Sequence, residues 1–188
     1  DKQPWLKPVL EKNPSILNDF FWPDGHIRVT GREYNGLLES ACYQRGEMSC
    51  VSCHSMHRSN PNDQLAPGMR GNRACLQCHD DMAGDLTAHT RHAADSAGSN
   101  CTNCHMPHTS YGLLKAIRGH TIETPNIATS LKTGRPNACN LCHLDKTLEW
   151  TAGHLAKRTG QAKPTVPEED RTTAASALWL LKGDAGQR

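Results

Sequence analysis

Apolar residues along this chain fall in short, interrupted groups rather than in long amphipathic stretches. Leu37, Leu38 and Ala41 have helical spacing within residues 33–45, and Gly46 supplies a stop. Residues 80–94 read as a helix carrying His89 and His92, an i, i+3 pair that would share one face. A short helix is expected over 111–117. Leu144, Leu148, Thr151 and Leu155 recur on one side of a helix over 144–158, closed by Gly160. Residues 168–181 follow, with Ala174, Ala177, Leu178 and Leu181 in helical register behind acidic starting residues. Residues 58–73 and 119–138 are broken by Pro, Gly and Asn and read as loop. No stretch shows the alternation of a strand, so the expected fold is mainly α with extensive loop and little or no β-sheet.

The ends differ in character from the middle. Residues 1–33 are rich in Pro, Asn and Asp, with aromatics at Trp5, Phe20, Phe21 and Trp22 and a turn signal at Pro23-Asp24-Gly25. They read as an extended N-terminal arm with one short helix near 5–12. Pro164 and Pro167 mark 161–169 as a linker. The division expected is therefore an arm (1–33), a central domain (34–160), and a linker with a C-terminal helix (161–188).

Composition changes this picture. Leu, Ile, Val and Phe make up 29 of 188 residues, below the roughly 20% at which a conventional core becomes doubtful. A net charge of only +2 does not fit a charged disordered chain either. Another source of buried apolar surface is needed, and the cysteines point to it. Eight of the nine fall in Cys50-Val51-Ser52-Cys53-His54, Cys75-Leu76-Gln77-Cys78-His79, Cys101-Thr102-Asn103-Cys104-His105 and Cys139-Asn140-Leu141-Cys142-His143. Cys-x-x-Cys-His is the attachment signature of a c-type haem. Two thiols add to the porphyrin vinyl groups, and the adjacent histidine reaches the iron. Paired Cys-x-x-Cys sites also hold structural zinc, but zinc does not require a histidine directly after each second cysteine. The reading is four covalently attached haem c groups, held through Cys50, Cys53, Cys75, Cys78, Cys101, Cys104, Cys139 and Cys142. Their proximal iron ligands are His54, His79, His105 and His143. Four porphyrins are large flat apolar bodies that would replace the missing side-chain core, so the fold is expected to collapse without them.

The sixth iron position separates electron transfer from catalysis: two strong ligands close the iron, while one open position admits a substrate. Seven histidines remain. His57 lies three residues after His54, cannot reach the other face of the same iron, and would serve a neighbouring haem. His57, His89, His92 and His120 are the leading distal ligands, His26 and His108 are secondary, and His154 ranks last. Met48, Met56, Met69, Met82 and Met106 are weaker alternatives that would raise the potential. Cys42 is left over, with a buried free thiol, an intermolecular disulfide and a haem ligand as its three readings.

Haem also alters the charge. With ionised propionates the holoprotein would carry about −2 oxidised and about −6 reduced, so the pI of 8.1 is no sign of nucleic-acid binding. No signal peptide or transmembrane stretch is present, and Asp1-Lys2-Gln3-Pro4 looks like a mature or trimmed start. Because this haem attachment takes place outside the cytoplasmic membrane in bacteria, a periplasmic or extracellular place is expected.

Several segments resemble one bacterial group. They are Phe21-Trp22-Pro23-Asp24-Gly25, Gly31-Arg32-Glu33-Tyr34-Asn35-Gly36, Cys50 to His57, His89-Thr90-Arg91-His92, Cys101 to Pro107, and Pro136-Asn137-Ala138-Cys139. From Phe20 to about Gly160 the chain is similar to multihaem c-type cytochromes with a tetrahaem module ahead of helical repeats. That resemblance implies bis-histidine haems with distal His57, His89, His92 and His120, and makes 174–188 look like the start of such repeats. Relatives often labelled nitrite reductase subunits belong to an enzyme class whose catalytic haem uses a Lys in place of the motif His, and no Cys-x-x-Cys-Lys occurs here.

The expected function is electron transfer along closely packed bis-histidine haems, with redox proteins as partners and no catalytic step. One architecture is self-association into an extracellular conducting filament, in which His26 of the arm would ligate a neighbour's haem. The alternative is a multihaem oxidoreductase with one open haem acting on a small nitrogen or sulfur compound. A third is a docking subunit contacting a larger complex through Trp150, Leu178, Trp179 and Leu180.

Overall fold

Two short helices open the part of the chain that carries most motifs. α1 (Glu33–Glu39) buries Gly36 and Leu37, and α2 (Ala41–Arg45) follows after one residue. Ser40 makes the break. Its hydroxyl donates to the Leu37 carbonyl at 2.7 Å and accepts from the Tyr43 N–H at 3.2 Å, so one side chain ends one helix and caps the next. The computed structural model describes residues 12, 19–29, 33–55, 57, 60, 64–112 and 115–182. The helix expected near 5–12 lies outside these, Lys12 apart.

α3 (Arg73–Leu76), α4 (Leu86–Thr90) and α5 (Cys101–His105) are equally short. Between them run 3-10 turns at Cys50–Ser52, Asp80–Gly84 and Ala97–Ser99. A two-stranded sheet follows, β1 (His108–Gly112) and β2 (Lys115–Arg118). Only two residues join the strands, so they pair antiparallel. Then come α6 (Ile127–Thr133), α7 (Leu148–Thr159), α8 (Glu168–Thr172) and α9 (Ala175–Lys182), with a 3-10 turn at Ala138–Leu141 ahead of α7. The fold is mainly helical with extensive loop, and no helix among the described residues is long and apolar enough to cross a membrane.

Four local expectations are corrected. Residues 111–112 and 115–117 lie in strands, not in a helix, because Thr109, Tyr111 and Ile117 favour extended backbone and Gly112 weakens a helix start. The 80–94 segment breaks at Gly84-Asp85. Asp85 accepts from the Ala88 N–H at 2.8 Å to cap a five-residue α4, and Arg91 takes a left-handed φ of 57° that ends it. His89 lies within α4 and His92 beyond it, so they do not share a helical face. The 119–138 stretch holds α6, whose start and stop are Asn126, capping the Ala128 N–H at 2.8 Å, and Gly134 at φ 76°. Residues 168–181 divide into α8 and α9 at Thr173-Ala174. Gly160 does end α7, and the turn at Pro23-Asp24-Gly25 is present, with Phe21 bridged to Ile27 around it and Gly25 at φ 85°.

The chain forms two units. One comprises residues 1–32, 108–117 and 125–188, with a side-chain core of Ile127, Leu148, Ala152, Leu155, Val166 and Ala175. Leu131, Trp179 and Cys139 pack against that core. Asn140 is fully buried; it donates to the Lys146 carbonyl at 3.0 Å and accepts from the Thr151 hydroxyl at 2.7 Å, fastening the fourth motif to α7. The other unit comprises residues 33–107 and 118–124 and carries the first three motifs. Among its described residues Leu37 is the one buried hydrophobic side chain. It is the unit that needs apolar surface from elsewhere.

This difference is testable by hydrogen exchange. In a haem-free chain with the eight motif cysteines replaced by Ala, α7 should retain protected amides while α1 and α3–α5 lose theirs. Leu155→Ala in the same chain should remove about 2–5 kcal/mol of α7 protection. Equal loss of protection in both units would contradict the assignment of the two cores.

Candidate haem iron centres

All four Cys-x-x-Cys-His runs take the same local shape. The backbone N–H of His54 donates to the Cys50 carbonyl at 2.9 Å, that of His79 to Cys75 at 3.0 Å, and that of His143 to Cys139 at 2.9 Å. The third run is α5 itself. One turn of helix therefore brings each histidine back beside its first cysteine, as an i to i+4 spacing requires. None of the nine cysteines is in a disulfide. Among the described residues no group of three or more His, Cys, Asp or Glu side chains is placed to hold a bare metal ion.

The histidines are oriented by their backbone neighbours. His54 places Nδ1 3.3 Å from the Gln64 carbonyl, His105 places Nδ1 3.0 Å from that of Glu123, and His120 places Nδ1 2.9 Å from that of Arg118. His92 does the same with the Thr90 carbonyl at 2.6 Å. A carbonyl can only accept, so each ring carries its proton on Nδ1 and keeps the Nε2 lone pair for a metal. Burial holds His120 below the ordinary imidazole range, and the Arg118 carbonyl and Glu33 oppose the shift only in part. The neutral ligand form is thus favoured.

Two pairs of rings face one another. His54 and His120 have ring centres 6.1 Å apart with planes 26° from parallel; His89 and His105 are 6.1 Å apart at 16°. A metal–imidazole bond of about 2.0 Å plus about 1.1 Å from nitrogen to ring centre, taken on both sides, gives about 6 Å across one iron. The spacing fits two axial imidazoles of a single haem, and the donor set fits haem c. In each pair one member belongs to a motif and the other lies outside it, 66 residues from His54 and 16 residues from His105.

Small residues and one arginine make room for these rings. A Cβ on Gly36 would lie 3.1 Å from the His120 backbone, so the glycine lets α1 approach that strap closely. A Cβ on Gly98 would fall 2.2 Å from the His92 ring, which only a glycine permits. Arg118 donates to the carbonyls of Thr102 at 2.9 Å and Met106 at 3.3 Å, and to the Asn103 side-chain oxygen at 2.7 Å. It binds the end of α5 while its own carbonyl orients His120. None of these supporting residues stands out in the sequence, except that Arg118-Gly119 directly precedes His120.

The remaining candidates are placed as follows. His57 is exposed next to the first motif, and His108 is exposed on β1. His26 lies 3.4 Å from the Asp24 carboxylate, which also pairs with Arg135 at 3.4 Å, ahead of the fourth motif. In that unit the Trp150 ring packs on His143 at 4.9 Å and on His154 at 4.2 Å. Trp150 thus has a neighbour in its own chain, and Leu178 is buried, whereas Leu180 is exposed. Cys42 is half-buried, near enough to Cys53 and Cys75 to influence both electrostatically.

Residues 43–84 match the family model of the doubled CXXCH motif, which spans the first two runs. Such paired domains typify multihaem c-type cytochromes and imply covalently bound haem. No curated protein and no solved structure matches the chain.

Removing a distal ring should open one iron and leave the others. His120→Ala should give a high-spin ferric signal that imidazole in solution converts back, and His89→Ala should do the same at a second haem. An unchanged spectrum in either variant would remove that residue from the ligand set.

Proposed function

We propose that this chain is an electron-transfer cytochrome carrying four covalent haem c groups, at least two of them closed by paired histidines from distant segments. The observation that carries this reading is the facing of motif histidines by second imidazoles at iron-spanning distance, His54 with His120 and His105 with His89. Bound haem iron cycles between ferric and ferrous states and so stores one electron. The chain's part is to hold both axial nitrogens neutral and fixed, so that the iron keeps its ligands in both states. A closed iron has no position for substrate, which favours conduction over catalysis.

For the second and fourth motifs the reading assigns the distal ligands, opposite His79 and His143, to the remaining histidines. His92 is the leading candidate, since its Nδ1 is bonded to a carbonyl and its ring is seated on Gly98 in the unit that holds His79. His57, His26, His108 and His154 follow. The chain's redox partners act outside the cytoplasm in this account, in the periplasm or beyond the cell surface, where haem c proteins are matured.

The count and the closure are tested separately. The intact mass should exceed that of the 20.7 kDa polypeptide by four haems, and replacing both cysteines of any one run with Ala should remove one haem. Cyanide added to the ferric protein should leave the visible spectrum unchanged. A mass short of four haems would overturn the count, and a haem that takes up cyanide at once would favour the oxidoreductase reading.

A further inference from the structure

The second motif is tied by side chains to the motif on either side of it. Asn72 stands just before α3. Its side-chain Nδ2–H donates to the Ser99 carbonyl at 2.7 Å, and its Oδ1 accepts from the Cys101 N–H at 2.8 Å. Its own carbonyl accepts from the Cys75 N–H at 2.9 Å. One residue therefore fixes the first cysteine of the second motif and the first cysteine of the third. The two side chains are close enough that, after burial, Cys101 is the next cause pushing the Cys75 thiol up. On the other side Gln77, between Cys75 and Cys78, donates from Nε2 to the carbonyl of Ser52, between Cys50 and Cys53, at 3.0 Å.

With Leu37 the one buried hydrophobic of this unit among the described residues, side-chain packing cannot set the spacing of the motifs. A bidentate amide contact can, because it fixes both distance and orientation, and in a half-buried place it is costly to break.

We propose that the haems on the first three motifs are ordered first–second–third in space, that the second is their junction, and that its closest link to the third runs through Cys75 and Cys101, whose backbones Asn72 holds together. The proposal rests on the haem c reading above and deepens it. On attachment each of these two sulfurs would become a thioether bonded to its own porphyrin, so the Asn72 tie would bring the edges of two haems together at polarizable atoms. Exchange across it moves one electron: the ferrous iron on one side is oxidised, the ferric iron on the other is reduced, and no bond or proton changes place. Asn72 acts as a positioning residue, since it touches neither iron.

The test uses the holoprotein. Pump–probe spectroscopy of the partly reduced wild type should resolve one inter-haem exchange faster than the rest. In Asn72→Ala that exchange should slow several-fold while haem mass and low-spin spectra hold. Gln77→Ala should slow a different exchange and leave the fastest one unchanged. A fastest exchange unaltered in Asn72→Ala, with all haems present, would overturn the proposal while leaving the haem c reading intact. Loss of haems or a high-spin resting spectrum in the wild type would instead strike at that reading. Should the variants fail to take up haem, a density map of the wild-type holoprotein decides. Cys75 and Cys101 sulfurs in van der Waals contact support the proposal, and sulfurs parted by a porphyrin overturn it.

Discussion

The constraint on which the motif-rich unit depends is the hydrogen bond from a histidine Nδ1–H to a backbone carbonyl. It is made by His54, His92, His105 and His120. Each such bond contributes only about 0.5–1.5 kcal/mol net, so four of them do not hold a fold together. What they do is fix tautomer and ring orientation; those of His92 and His120 are local, while two of them also tie more distant segments. The His105 bond reaches residue 123, and the His54 bond reaches the segment at residue 64, where a β-bridge pairs His54 with Leu65. The backbone thus sets the orientation of these rings.

The two units solve the problem of burial differently. Around α6, α7 and α9 a compact set of aliphatic side chains closes on itself, and the fourth motif is attached to it through Cys139 and the buried Asn140. Around the first three motifs the polar framework is dense but apolar side chains are few. Burying apolar surface contributes about 25 cal/mol per Å², and in this account the porphyrin faces supply the area that leucines and valines do not. Burial and the neighbouring Cys101 push the Cys75 thiol up to about 12. Before attachment it is thus a thiol and not a thiolate, and its reaction with a vinyl group needs either a base or a more open chain.

Much of this was legible in the chain, and the limits have physical causes. Cys-x-x-Cys-His is a contiguous pattern whose chemistry depends on spacing alone, so the attachment points could be read directly. The polar and apolar pattern located α7 and the helical span 33–45, because each has a periodic apolar face or a cap, but it ran α1 and α2 together across the break at Ser40. It misplaced α6, whose information lies in Asn126 and Gly134 rather than in periodicity. It also joined His89 to His92 across Arg91, because a left-handed residue leaves no trace in hydropathy. Which histidines face each other depends on chain paths tens of residues long, and no local rule contains them. His120 was a candidate by count, while its partner His54 emerged only from the fold. Asn72, Gln77, Gly98 and Arg118 were silent in the sequence, since their roles consist wholly of contacts with distant backbone.

The most direct test of the central claim, that imidazoles from distant segments pair across the irons, is paramagnetic resonance of the ferric holoprotein. Ring planes 26° and 16° from parallel predict rhombic low-spin signals from the first and third haems, of the kind given by near-parallel bis-imidazole iron. Each should disappear singly in His120→Ala and His89→Ala. High-spin signals from these two haems in the wild type, or the strongly axial signal of perpendicular or Met-ligated iron, would contradict it.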